Sequence, residues 1–308
     1  MRRLLATLAL LLAALVVLPP LFFRVFPGQA PPDLPPADRR IPVGDGIFVS
    51  AVVRGQGQPM VLVHGLPGSG HDWRALTGRL ARLGQRVIAY DRVGYGRSDA
   101  RRNGDFRLDA SARDLLALLE SEGFEDATLV GWSYGGATAI RAARLDPSRI
   151  GRLVLIGSAG PWPERPPDPA IFRLLFSAPV MGWVRAVPPV GRALQAGFSA
   201  EAFGDETMPD WWLPQLAANF ASPHTQETWL GEGAAMPWGE ELDPSSLDLP
   251  ILVIHGEADR LVPLEVAQAI HGRARRSRVV VIEGGSHMLP ITHPDEIAER
   301  VASFVSVH

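Results

Sequence analysis

The chain has 308 residues, a net charge of −3 and a hydrophobic fraction of 46%. This length and composition fit one large globular domain, or a domain with an insertion. The small net charge and the lack of long charged runs argue against nucleic-acid binding. The absence of cysteine excludes disulfides, thiol catalysis and thiolate metal sites.

The N-terminus carries an uncharged apolar run, which occupies residues 4–23. Twenty helical residues span about 30 Å, the thickness of a bilayer core. Residues 1–26 are therefore predicted to be a membrane anchor or a signal segment, with a buried core helix as the remaining interpretation. The two arginines before the run favour export of the rest of the chain. Residues 27–40 are rich in proline and are predicted to be an unpacked spacer.

Strands and helices then alternate. Strand patterns occupy 41–54 (as a hairpin around Gly44-Asp45-Gly46), 60–64, 86–91, 127–132, 152–156, 250–255 and 278–283. Helical patterns occupy 72–83, 109–122, 134–144, 263–273 and 294–305. This alternation predicts an α/β fold with a mainly parallel sheet and helices on both faces. The core is predicted to comprise residues 41–160 and 249–308.

Residues 161–248 interrupt the alternation. The segment is rich in proline, contains six tryptophans and has several short helical patterns. An irregular surface excursion would expose this aromatic surface, so the segment is predicted to be an inserted helical cap.

Gly131-Trp132-Ser133-Tyr134-Gly135 joins a buried strand to a helix rich in small residues. The pattern G-x-S-x-G in this context places a serine hydroxyl on a sharp turn next to a helix N-terminus. The pentapeptide alone is weak evidence, because a structural turn with small residues has the same letters. Ser133 is a nucleophile candidate that needs a base and a group to orient that base.

Functional groups of a parallel sheet gather beyond the carboxyl ends of its strands. Two such ends carry candidates: Glu257 and Asp259 follow one strand, and His287 follows another. The position of Asp259 in its turn, four residues before a proline, favours it over Glu257. The order Ser133, Asp259, His287 is that of nucleophile, acid and base in one class of hydrolases.

Five motifs together resemble the α/β-hydrolase-fold serine hydrolases. They are HGLPGSGHDW at 64–73, DRVGYGRSD at 91–99, GWSYGG at 131–136, HGEADRLVP at 255–263 and GGSHMLPITHP at 284–294. The resemblance covers residues 41–308. It implies an eight-stranded-type sheet, Ser133 as nucleophile, Asp259 as acid and His287 as base. It also implies an oxyanion hole made by the backbone N–H groups of Leu66 and Tyr134.

The nucleophile separates this chain from some relatives of the fold. Haloalkane dehalogenases and epoxide hydrolases place a carboxylate where this chain has Ser133, and residues 161–248 contain no cap tyrosine. The expected reaction is acyl transfer to water from a small-molecule ester or lipid. Amide, lactone or thioester hydrolysis, C–C bond hydrolysis, cofactor-free perhydrolysis and a catalytically inactive binding module remain alternatives.

Of the other histidines, His64, His255 and His293 are expected to be structural, and His71 could lie near the site. Asp91 is expected to pin the loop after its strand. No His-x-x-Glu-His or similar cluster occurs, so neither a metal nor a cofactor is predicted.

Overall fold

An eight-stranded sheet forms the centre of the protein. The computed structural model describes residues 16–18, 21, 33–162, 178–236 and 242–307. The strands are β1 (Arg39–Pro42), β2 (Phe48–Arg54), β3 (Gln58–Val63), β4 (Gln85–Tyr90), β5 (Ala127–Trp132), β6 (Ile150–Ile156), β7 (Ile251–Gly256) and β8 (Ser277–Ile282). Their order is β1-β2-β4-β3-β5-β6-β7-β8. Only β2 runs against the others in this sheet, which confirms the predicted mainly parallel arrangement.

Helices cover both faces of the sheet. They are α1 (Arg74–Arg82), α2 (Leu108–Ser121), α3 (Tyr134–Leu145), α4 (Ala178–Ala186), α5 (Pro188–Phe203), α6 (Trp212–Phe220), α7 (Pro223–Ala234), α8 (Leu264–Arg273), α9 (Leu289–Thr292) and α10 (Pro294–Val305). Side chains of β3 alternate between two cores: Val61 and Val63 pack with α2, α3 and α8, while Met60 and Leu62 pack with α1 and α10. Burial on both faces explains why this strand is a continuous apolar run.

The sheet begins earlier than the sequence predicted. Arg39 and Arg40, assigned to the spacer, pair with β2 as part of β1. The amide of Asp38 also donates to the carbonyl of Ala51 at 3.0 Å, and the side chain of Arg97 donates to the carbonyl of Pro35 at 2.9 Å. The prediction of an unpacked spacer is therefore wrong for its C-terminal part, because backbone pairing with β2 does not depend on side-chain pattern.

The predicted anchor or signal segment lies outside the described residues, except for helical residues 16–18 and 21. Among the described residues, no helix combines the length and the apolar composition that crossing a membrane requires.

Helices α4 to α7 lie in the described part of the segment predicted as a cap, between β6 and β7. Trp212 is buried with Leu216 against the core face formed by α1 and α10. The tryptophans at 162, 183, 211 and 229 are partly buried, and Trp238 lies outside the described residues. We use the name cap below for residues 178–236.

Candidate active site

Ser133 occupies the sharp turn between β5 and α3. Its backbone has φ 55° and ψ −123°, a strained conformation for a residue with a side chain. A Cβ added at Gly131 would lie 2.5 Å from the carbonyl oxygen of Gly135, and one added at Gly135 would lie 2.0 Å from that of Val63. The glycines are therefore sterically required. The turn leaves Ser133 partly exposed, while Trp132 and Tyr134 on either side are buried.

His287 and Asp259 form a buried hydrogen-bonded pair. Nδ1 of His287 lies 2.7 Å from Oδ2 of Asp259, and the two side chains are 5% and 1% exposed. Oδ1 of Asp259 accepts from the amides of Leu261 at 2.9 Å and Val262 at 2.8 Å. Since a carboxylate only accepts, the proton of a neutral His287 sits on Nδ1 and the lone pair on Nε2. This is the tautomer that a general base needs.

The carboxyl of Asp259 is held in its ionised form. Burial by itself would raise its pKa, but the neighbouring His287, with its charge and hydrogen bond, and the amide of Val262 outweigh burial and lower the pKa. Glu257, the competing candidate, is exposed and accepts from the amide of Gly284 at 3.0 Å. The fold thus brings the carboxylate of Asp259 to the His287 imidazole, whereas that of Glu257 accepts from the backbone three residues before His287.

The end of β6 brings this pair next to Ser133. The amide of Ser133 donates to the carbonyl of Ile156 at 3.0 Å. A Cβ added at the following residue, Gly157, would lie 3.2 Å from Oδ2 of Asp259 and 3.3 Å from Nδ1 of His287. Trp132 also donates from Nε1 to the carbonyl of His287 at 2.9 Å. The serine, the histidine and the carboxylate therefore share one edge of the sheet.

Trp132 itself is a core residue on one side and a support for the site on the other. Its indole is 3% exposed and meets Trp73 edge-on, with 6.3 Å between ring centroids. Its centroid is 5.8 Å from that of His287. Trp132 is therefore a buried core residue that also holds His287 through its indole N–H.

Leu66 and Tyr134 lie on the two segments that border Ser133. Tyr134 is the first residue of α3, so its N–H has no acceptor within the helix. A Cβ added at Gly65, just before Leu66, would lie 3.0 Å from Cβ of Ser133. The side chains of Leu66 and Tyr134 belong to one apolar cluster with Leu108, Ala137, Ala159, Met236 and Leu242.

His64 and His255 make structural contacts. His64 donates from Nδ1 to the carbonyl of Gly65 at 2.9 Å and accepts at Nε2 from the amide of Arg92 at 2.9 Å. Burial and the charge of Arg92 hold its pKa well below the usual value, so it is neutral. His255 contacts the carbonyl of Val262 at 2.9 Å. Burial lowers the pKa of half-buried His71 to about 4.

Asp91 pins its loop as predicted, through bonds of 2.8 Å from the amide of Gly70 and 2.9 Å from that of Arg97.

Sequence reasoning missed a buried charge cluster between the cap and the core. The guanidinium of Arg92, after β4, pairs with the carboxylate of Glu232 on α7, with N–O distances of 2.5 and 3.0 Å. The side chains are 3% and 2% exposed. Glu232 carries no sequence signal beyond its place in an apolar, glycine-containing stretch. Arg92 could have been singled out, because it stands inside a motif used for the resemblance.

Comparisons with known proteins agree with this fold. A family model described as alpha/beta hydrolase fold matches residues 58–294, more than half of the chain. The chain belongs to the α/β hydrolase family and is a hydrolase.

Two relatives and one solved structure illustrate the range of this family. The chain is 32% identical to the pimeloyl-[acyl-carrier protein] methyl ester esterase of Aeromonas hydrophila, over 82% of this chain and 96% of that protein. It is 29% identical to the 2-hydroxymuconate semialdehyde hydrolase of a Pseudomonas species, over 90% and 97%. The crystal structure of a bromoperoxidase from Bacillus anthracis matches with a TM-score of 0.74 and 27% identity, over 87% and 99%.

Proposed function

We propose that this protein is a serine hydrolase that cleaves carboxylic esters with lipophilic acyl groups through an acyl-enzyme intermediate. The observation that carries the proposal is the 2.7 Å hydrogen bond between His287 and Asp259, at the sheet edge where Ser133 occupies a strained turn at φ 55°. A serine needs such a base, and the base needs such a carboxylate.

The proposed reaction assigns one role to each group. Oγ of Ser133 attacks the ester carbonyl while Nε2 of His287 takes its proton. The N–H groups of Leu66 and Tyr134 stabilise the oxyanion. His287 then returns the proton to the leaving alcohol, and a water molecule releases the acyl group by the same steps. Asp259 stays ionised throughout and stabilises the imidazolium.

An apolar wall beside the serine supports a lipophilic acyl group. Leu66, Tyr134 and Ala159 pack together with Met236 from the cap. Arg92, the cation bound to the carbonyl groups just before Leu66, is already neutralised by Glu232. An anionic acyl group would therefore find no free charge on Arg92, and we expect it to be a poor substrate.

A p-nitrophenyl ester series tests both the activity and the preference. Each buried methylene adds up to ~0.8 kcal/mol, or several-fold in specificity. We expect kcat/KM to rise from acetyl to butyryl or hexanoyl and to fall for long chains. Amide and lactone substrates, a C–C cleavage substrate and a peroxide-dependent halogenation assay run beside the series, because esterases, peroxidases and C–C hydrolases all occur among the relatives. A flat profile or a preference for a non-ester substrate would overturn the assignment.

A fluorophosphonate probe separates a hydrolase with an active serine from an inactive binding module. Wild-type protein should be labelled, and Ser133→Ala should lose both labelling and nearly all turnover. Folded wild-type protein that resists labelling would refute the proposed serine mechanism.

For location, we propose that residues 4–23 retain the protein in a membrane, with the catalytic domain on the exported side. The support is the uncharged run in the sequence and the exposure of the four described apolar residues within it. The full chain should stay in the membrane fraction after a carbonate wash. A soluble mature form that begins near residue 31 would show cleavage of a signal segment instead.

A further inference from the structure

The buried pair of Arg92 and Glu232 lies where the cap meets the loop after β3. Besides the two bonds from Arg92, the carboxylate of Glu232 accepts from the hydroxyl of Tyr95 at 2.7 Å and from that of Ser111 at 3.1 Å. Four donors thus fix one cap side chain among core residues. Burial by itself would lower the pKa of Arg92, but the adjacent Glu232 more than offsets this and raises the pKa above its usual value.

The guanidinium of Arg92 also holds the backbone that leads to Leu66. Its Nε donates to the carbonyl of His64 at 3.2 Å, and its Nη2 donates to the carbonyl of Gly65 at 3.1 Å. Nδ1 of His64 adds a second bond to the same Gly65 oxygen, at 2.9 Å. Two donors therefore fix the direction of the Gly65 carbonyl.

That carbonyl shares a planar peptide unit with the N–H of Leu66. In a trans peptide the two groups point in opposite directions, so fixing the oxygen also fixes the hydrogen. The guanidinium carbon of Arg92 lies 4.7 Å from the ring centroid of Tyr134, whose N–H is the other proposed donor. One cation therefore contacts both segments of the proposed oxyanion hole.

A role in stability alone is a poor reason for burying two charges. Removing both ions from water costs nearly as much as their attraction returns, and a well-packed apolar pair often does as well. A guanidinium fork, in contrast, can hold two carbonyl groups and a carboxylate in fixed directions at once. A buried fork needs a counter-charge, and here the counter-charge comes from the cap.

We propose that Glu232 is a positioning residue for the oxyanion hole: through Arg92 it sets the direction of the Leu66 N–H and makes the hole competent only while α7 is docked. This inference rests on the proposed function. It couples the docking of the cap to the catalytic step.

The test is Glu232→Gln, measured by steady-state kinetics on a p-nitrophenyl ester that wild-type protein cleaves. We expect kcat to fall by about 10- to 100-fold, less than or similar to the loss of a whole oxyanion donor, with KM changed by about threefold or less. Inhibition by an alkyl boronic acid should weaken by a similar factor, because its tetrahedral adduct on Ser133 places an oxygen in the hole. If Glu232 only stabilised the fold, the folded variant would keep the wild-type kcat and the wild-type affinity for the boronic acid.

Glu232→Gln leaves a buried lone cation and could prevent folding. A second variant, Arg92→Met combined with Glu232→Leu, removes both charges at similar volume. We expect this double variant to fold with a melting temperature near that of wild type and to show the same loss of kcat. A folded double variant with wild-type kcat and boronate affinity would overturn the proposal.

Gln215→Ala is the matched control for a loosened cap. Its amide joins α6 to the core through Ser69 Oγ at 3.1 Å and Asp72 Oδ1 at 2.9 Å, and these bonds go neither to Arg92 nor to the Gly65 carbonyl. We expect a lower melting temperature with kcat changed by about threefold or less. An equal loss of kcat in this control would also overturn the proposal. Failure of the proposed function is recognised separately, as wild-type protein that cleaves no ester and is not labelled by the fluorophosphonate.

Discussion

Replacing Asp259 by asparagine should invert the hydrogen bonding of His287. The amides of Leu261 and Val262 donate to Oδ1 at 2.9 and 2.8 Å, so the asparagine carbonyl must take that position. Its NH2 group then takes the place of Oδ2, the oxygen that accepts from Nδ1 of His287 at 2.7 Å in the wild type. Nδ1 can only accept from this donor, so the imidazole proton moves to Nε2. The nitrogen proposed as the base is then blocked.

A base held in the wrong tautomer lowers kcat by about 10⁴-fold in a comparable triad, or roughly 5.5 kcal/mol of transition-state stabilisation. The assay is kcat/KM on p-nitrophenyl butyrate at neutral pH. Imidazole ¹⁵N shifts of His287 report the tautomer directly. Glu257→Gln is the control: the residue is exposed, and an amide oxygen can still accept from Gly284, so we expect a change of about twofold or less. Asp259→Asn with more than about a tenth of wild-type activity, or greater damage from Glu257→Gln, would refute the reasoning.

The same variant tests the lowered pKa of Asp259. A carboxyl whose pKa is lower in the folded state stabilises the fold above its unfolded value, near 3.9, and this contribution disappears as pH falls through the folded value. The difference in free energy of unfolding between wild type and Asp259→Asn should therefore be largest at pH 5–7 and shrink below about pH 4. Urea denaturation across this range measures it, and a difference that grows in acid would contradict the assigned direction.

Three further predictions concern the surroundings of the site. Leu66→Ala should lower kcat/KM by about tenfold or less and shift the acyl preference in the ester series. The side chain is only one part of the apolar wall, and the backbone N–H remains in the variant. A collapse of kcat would assign the side chain a larger role. Gly94→Ala should destabilise the fold by about 2–4 kcal/mol in urea denaturation. The reason is that φ of Gly94 is +88° and the new Cβ would lie 2.0 Å from the hydroxyl of Thr228 on α7. The control Gly104→Ala is also at positive φ but meets nothing within 4 Å, so its effect on the free energy of unfolding should be smaller. Removing residues 1–38 should give a lower melting temperature than removing residues 1–32, because residue 38 bonds to β2. Equal melting temperatures of the two shortened chains would show that these bonds contribute nothing.

The sequence by itself determined the elements of the core and the position of the serine turn. Buried strands such as β3 and β7 are short apolar runs, and in amphipathic helices such as α10 the apolar residues recur about every 3.6 positions. The local sequence pattern therefore indicates which residues of these elements are buried. Part of the turn at Ser133 is equally local, because a Cβ at Gly131 would collide with the backbone of Gly135 and Gly136. Candidates at the ends of strands followed from the parallel topology.

Only the tertiary structure decided which of these candidates meet. Glu257 and Asp259 are two residues apart, and the turn that gives Asp259 two backbone donors also aims it at His287. Arg92 and Glu232 are separated by 140 residues, and no sequence pattern in either segment predicts that the two side chains meet. Two charges can be buried together only when a cap helix and a core loop close around them, and that closure depends on the packing of the whole molecule.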